Sequence, residues 1–202
     1  MRTTVRDNLF TRVGPANLVT AIRAILVGLV AGLIGRTATP PVLWFVIGLT
    51  AVMAALDGLD GWIARRTGTA SALGARFDME TDAALILVLS ILVWQHGKAG
   101  AWVLGCGLMR YAFVAAGWLL PWLARPLPPT RRGKTVAVAQ LVGLSVSLAP
   151  VVPAGPSGVI AAVTLAALVW SFATDVTWLA RQHSSRVTGH RDAETQSEHL
   201  GN

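Results

Sequence analysis

The chain has 202 residues, of which 53% are hydrophobic and only 13% charged, against about 25% charged in soluble domains, and its mean hydropathy is +0.57. Such a composition argues against a soluble globular domain and for one embedded in a bilayer. The single Cys106 has no partner within the chain, which excludes an intrachain disulfide framework and leaves packing as its role. The net charge of +7 is accounted for by a face meeting anionic lipid, and nothing points to nucleic-acid binding.

A span of the hydrocarbon core takes about 20 apolar residues. Taken in chain order, such segments fall at residues 17–35, 41–64, 72–95, 99–120, 135–152 and 157–179. They are separated by breaker-rich stretches: Thr39-Pro40-Pro41, Arg65-Arg66-Thr67-Gly68, His96-Gly97-Lys98, Pro126 to Pro129 and Pro150 to Pro156. The expected fold is an all-α integral membrane protein of six transmembrane helices. Residues 1–16 form a cytoplasmic interfacial segment, with Leu9, Phe10 and Val13 opposite Arg6 and Arg12, and the first span is uncleaved. Residues 17–180 are the six-helix domain. Residues 181–202, polar and poor in apolar side chains, are expected to be a disordered cytoplasmic tail.

Basic residues set the orientation. With a cytoplasmic N-terminus, twelve of them, from Arg2 to Arg191, fall on the cytoplasmic side, and only Arg36 and Lys98 fall opposite. Both termini are then cytoplasmic, in a multi-pass protein of the cell membrane. The Trp residues cluster near span ends, as an interfacial belt does.

The connection between the second and third spans carries the chemistry. Five of the ten acidic residues lie between Asp57 and Asp82, in the pattern Asp57-x-x-Asp60-Gly61-x-x-Ala64-Arg65, eight residues, Gly74-x-x-x-Asp78-x-x-x-Asp82. A carboxylate at membrane depth costs roughly 2.5 to 3.5 kcal/mol on insertion scales, which makes each one a functional candidate. Residues three and four apart share a helix face, so Asp57, Asp60, Gly61 and Ala64 line one side of the second span, and Gly74, Asp78 and Asp82 one side of the third. In an antiparallel hairpin about residues 65–68 the two sets face each other. Converging carboxylates need cations, and hard oxygen donors suit Mg²⁺ or Mn²⁺, expected here as a pair of ions. Gly61, Ala64 and Gly74 leave room for a ligand against the backbone, Arg65 supplies a fork for phosphate oxygens, and Thr67 and Ser71 add donors. These parts describe metal-assisted phosphoryl transfer from a diphosphate.

The same residues resemble the signature of the CDP-alcohol phosphatidyltransferases at every defined position, and Pro15-x-Asn17-x-x-Thr20-x-x-Arg23 is similar to that family's N-terminal element. The resemblance implies that CDP-diacylglycerol donates its phosphatidyl group to an alcohol and CMP leaves. It implies Asp57, Asp60 and Asp78 as metal ligands, with Asp82 both a metal ligand and the general base. It implies contacts from Gly61, Arg65, Thr67, Ser71 and Gly74 to the cytidine diphosphate, and a homodimer. Arg110 within the fourth span and the loop bearing Arg131, Arg132 and Lys134 would form an anion pocket if they converge. That favours a phosphorylated acceptor, glycerol 3-phosphate or an inositol phosphate; serine or phosphatidylglycerol is the alternative. Arg23 and Arg76 are read as neutralising neighbouring groups, and Asp175 as an interfacial residue or the partner of a cation.

Other readings weigh less. Four intact carboxylates argue against a catalytically silent membrane scaffold. A cation or proton transporter would hold its carboxylates near the midplane and has no use for Gly61-x-x-Ala64-Arg65. A histidine metal site needs converging ligands, whereas His96 flanks a loop and His183, His190 and His199 lie in the tail.

Overall fold

The computed structural model describes residues 15–67, 72–120, 122–123 and 131–200. Among them are six α-helices: α1 (Pro15–Ala31), α2 (Pro40–Thr67), α3 (Ala72–Gln95), α4 (Gly105–Leu119), α5 (Arg131–Leu148) and α6 (Ala154–Leu200). A 3-10 turn, Ala101–Leu104, leads into α4, and there is no strand among the described residues. Both α1 and α2 open on proline, whose missing N–H costs nothing in a first turn.

Turn chemistry fixes the end of the bundle away from the carboxylates. After α3 the chain reverses through Gly97 at φ 65°, with Gly97 N–H donating to Trp94 O at 2.9 Å and Lys98 N–H to Val93 O at 3.0 Å, a Schellman cap. The turn after α1 passes through Gly35 at φ 79°. It is tied to the end of α3: Gly35 N–H donates to Gln95 Oε1 at 2.7 Å, and Gln95 Nε2 donates to Arg36 O at 2.6 Å. Lys98 Nζ donates to Ala149 O at 3.0 Å and Val152 O at 2.5 Å, placing a cation where the α5 dipole is negative.

The central helix is α3, which packs against α1, α4 and α5, while α5 lies along α6. Leu85, Val88, Leu89, Leu92 and Val93 of α3 are buried with Val27 and Val30 of α1, Val46 and Met53 of α2, Cys106 of α4, and Leu144 and Leu148 of α5. Cys106 is therefore a core residue, as its sequence setting suggests. Outward-facing apolar side chains such as Ile25, Trp118, Leu119 and Val159 are exposed, which suits a surface facing lipid tails.

Six helices stand where six spans are expected. Three are long and apolar enough to cross a membrane: Pro40–Gly58, Ala101–Leu119 and Ala154–Gln182. The apolar run of α1, Val19–Ala31, is shorter, and α3 carries Arg76, Asp78, Glu80 and Asp82 along its first turns.

Three expectations shift. The helical part of the second segment continues to Thr67, so Arg65, Arg66 and Thr67 belong to α2 rather than to a turn. Helix α5 begins at Arg131, which moves the basic cluster out of a loop and onto a first turn; the prolines that break the chain all lie before it. Helix α6 keeps helical backbone to Leu200, through a stretch whose composition suggests a tail without regular structure. From Ser157 onward there is no proline, and Gly189 is the one glycine between Gly158 and Leu200, so no strong breaker separates the apolar span from the residues that follow. The interfacial segment expected over 1–16 lies outside the described residues, apart from Pro15 and Ala16.

Candidate active site

One face of α1 reads Thr20, Arg23, Val27 and Val30, all buried, at the spacing of a helix side turned inward. Arg23 is the polar member placed deepest, with 2% of its surface exposed. Its Nη1 donates to Asp57 Oδ1 of α2 at 3.1 Å and to Asp78 Oδ1 of α3, and its Nη2 donates to Asp82 Oδ1. One guanidinium thus joins three helices through three carboxylates. The Nε–H of Arg23 is buried and has no hydrogen-bond partner among the described residues.

Asp78 and Asp82 meet on one face because they stand one helical turn apart. Asp57 arrives from α2, as the facing-helix argument requires. Ligand oxygens of the three lie within 4.8 Å of one another. Opposite oxygens around a single Mg²⁺ are about 4.2 Å apart at ordinary bond lengths, so small side-chain movements suffice for all three to share an ion. The donors are hard oxygens, and three carboxylates outnumber the one guanidinium they share; both fit a divalent cation.

The carboxylates form one wall of a cavity of 420 Å³. Lys134 of α5 lines it too, and the remaining wall is largely apolar, including Ala54, Leu85, Ile86, Leu141 and Val142. Polar chemistry at one end and apolar surface beside it suit an amphiphilic substrate.

The other sequence-predicted residues distribute as follows. Gly74 is half-buried on α3, one turn before Asp78. Asp60, Gly61, Arg65 and Thr67 lie on the helical backbone of α2, but their side-chain surroundings fall outside the described residues, as does Ser71 altogether. Arg131 is the first residue of α5, and its side chain is likewise outside them. Arg110 donates to Glu80 Oε1 at 2.5 Å, and Arg132 pairs with Asp175 of α6 while lying 5.7 Å from the centre of the Trp170 ring. Among the described basic side chains of the expected anion pocket, only Lys134 lines the carboxylate cavity. Arg110 and Arg132 do not line that cavity; each is paired instead with a carboxylate of a neighbouring helix, Glu80 and Asp175.

Arg23 is the residue whose place the sequence leaves undervalued. Its spacing from Thr20, Val27 and Val30 marks a buried helix face, and a buried cation in a bundle with surplus carboxylates is drawn to them. That signal was present in the primary structure, but which carboxylates it meets depends on how α1 packs.

Residues 14–174 match the family described as CDP-alcohol phosphatidyltransferase, which covers α1 through most of the apolar part of α6, including every carboxylate of the site. No solved structure matches the chain. Members of this family generally use divalent metal ions, and the Asp57, Asp78 and Asp82 triad is of the kind that binds them. The chain belongs to the CDP-alcohol phosphatidyltransferase family and is a membrane transferase of phospholipid synthesis.

Proposed function

We propose that the protein transfers the phosphatidyl group of CDP-diacylglycerol to a phosphorylated alcohol, glycerol 3-phosphate or an inositol phosphate, with release of CMP. The observation that carries this reading is the shared cavity: Lys134 lines the same space as Asp57, Asp78 and Asp82, so a fixed cation for an acceptor phosphate stands beside the carboxylates.

In the reaction the acceptor hydroxyl oxygen forms a bond to the phosphorus that carries the diacylglycerol, and the bond from that phosphorus to the bridging oxygen breaks. CMP leaves with the bridging oxygen, and Asp82 takes the hydroxyl proton. Asp57, Asp60, Asp78 and Asp82 would hold the divalent ions, Mg²⁺ or Mn²⁺ and two in number by the carboxylate count. Bound ions supply neutralisation of the charge that develops on the diphosphate oxygens. Gly61, Arg65, Thr67, Ser71 and Gly74 would hold the cytidine diphosphate, and the apolar wall would receive the glycerol end of the acyl chains.

The bias of basic residues supports an active site opening to the cytoplasm, with both termini on that side, and the small volume of one bundle supports a homodimer. A second reading has its own observation. Arg110 and Arg132 are already paired with Glu80 and Asp175, which leaves fewer cations for an acceptor phosphate and favours serine or phosphatidylglycerol.

The test is incubation of purified protein with CDP-diacylglycerol, Mg²⁺ or Mn²⁺, and a panel of alcohols, with product lipids identified by mass. Phosphorylated alcohols are expected to give product. Product from serine or phosphatidylglycerol alone would overturn the acceptor assignment.

A further inference from the structure

A guanidinium needs one carboxylate to be neutralised, yet Arg23 takes three, from two other helices, while remaining almost fully buried. It also leaves its buried Nε–H unpartnered, and an unmade hydrogen bond of that kind costs about 1–3 kcal/mol. If Arg23 served only to fasten α1 to the bundle, a single carboxylate would suffice, as it does for Arg110 with Glu80 and Arg132 with Asp175. The arrangement instead spends its donors on the three carboxylates that would ligate a metal, meeting Oδ1 of Asp57, Asp78 and Asp82.

We propose that Arg23 is a positioning residue: the built-in counter-cation of the carboxylate site, which holds Asp57, Asp78 and Asp82 together before a divalent ion arrives and competes with that ion for their oxygens. This rests on the divalent-metal reading of the site. Without a cation, three carboxylates whose oxygens lie within 4.8 Å would repel one another, and α2 and α3 would be pushed apart. With Arg23 they are preassembled, but an entering ion meets a like charge and oxygens already engaged. Arginine suits this role better than lysine because its planar fork reaches several oxygens at once, whereas an ammonium is a point charge. The consequence is a site that is stable when empty and binds its metal less tightly than three bare carboxylates would.

The experiment measures Mn²⁺ binding to the purified full chain in detergent, without CDP-lipid, by loss of the free-ion electron paramagnetic resonance signal. Melting temperature is recorded with and without Mn²⁺. Wild type, Arg23→Gln and Arg23→Lys are compared. Arg23→Gln is expected to bind Mn²⁺ about tenfold more tightly, the low end of what a like charge at 4–6 Å does to an ionisation equilibrium, with Arg23→Lys between it and wild type. Metal-free Arg23→Gln should melt below wild type, and saturating Mn²⁺ should close most of that gap because the ion takes over the neutralisation. Should Arg23→Gln not fold, Arg23→Lys alone carries the test, with tighter Mn²⁺ binding and a metal-closed melting gap expected. Variants that bind Mn²⁺ no more tightly than wild type, with a melting deficit that Mn²⁺ leaves unchanged, would reduce Arg23 to a structural ion pair and overturn the proposal. A wild type with no saturable Mn²⁺ binding would overturn the metal reading itself, and the competition with it.

Discussion

The packing of α4 on α3 depends on a missing side chain. A Cβ added at Gly107 would stand 2.4 Å from the Cα of Leu87, 2.7 Å from its Cβ and 2.8 Å from its Cδ1. The nearest of these is backbone, so no rotamer change removes the clash, and α3 and α4 must part by about 1 Å to restore an ordinary carbon contact. Overpacking of this kind costs about 1–3 kcal/mol, offset by about 1 kcal/mol from replacing glycine with alanine in a helix. The expected net loss for Gly107→Ala is about 1 kcal/mol, the middle of the range left after that offset. For a chain of this size that corresponds to a melting temperature roughly 2–4 °C lower. Two controls separate this from glycine chemistry in general. A Cβ at Gly48 on α2 meets nothing within 4 Å, so Gly48→Ala should be neutral or stabilising. At Gly143 the contact is Cγ2 of Thr164, at 2.4 Å, a side-chain atom that can turn away at the expense of the Thr164 Oγ1 bond to Ala161 O, so Gly143→Ala should fall between. The assay is thermal unfolding in detergent followed by circular dichroism. A Gly107→Ala protein that melts with or above Gly48→Ala would refute the close approach of α3 and α4.

Other expectations follow from the ion pairs and the cavity. Lys134→Ala should raise KM for a phosphorylated acceptor roughly 10- to 100-fold, the worth of one hydrogen bond to a charged group, with kcat little changed; an unaltered KM would remove Lys134 from acceptor binding. A double-mutant cycle on Arg132→Gln and Asp175→Asn should give a coupling energy of about 1 kcal/mol in thermal stability, toward the low end for contacting residues because both side chains are partly exposed. Additive effects would mean that the pair does not latch α5 to α6.

The grouping of Asp57, Asp78 and Asp82 was legible in part, because helical spacing alone puts Asp78 over Asp82 and because charge in an apolar stretch is costly enough to need a purpose. The six helices were legible for a similar reason: prolines and glycines punctuate long apolar runs. What local pattern does not encode is which helix supplies the neutralising charge. Arg23 stands 34 residues from Asp57 and 59 from Asp82, and only the packing of α1 against α3 brings them together. The same limit applies to the basic residues expected at the acceptor site. Arg110 and Arg132 look like a cluster with Lys134 when only cations are counted, but each has a carboxylate on a neighbouring helix, and opposite charges in a bundle find one another first. Helix ends were less legible than helices, as Arg65 and Arg131 illustrate, since a polar residue next to an apolar span continues a helix as readily as it ends one.

The central claim is that the cavity bounded by Asp57, Asp78 and Asp82 performs phosphatidyl transfer with divalent ions. Its most direct measurement is CMP release from CDP-diacylglycerol in the presence of a phosphorylated alcohol acceptor, by wild type and Asp82→Asn, each with Mg²⁺ or Mn²⁺ and after chelation. Rapid release by wild type, lost on chelation, restored by adding the ion back and reduced at least about 100-fold in Asp82→Asn, the scale of a lost general base, is the predicted result. CMP release that survives both chelation and Asp82→Asn would contradict it.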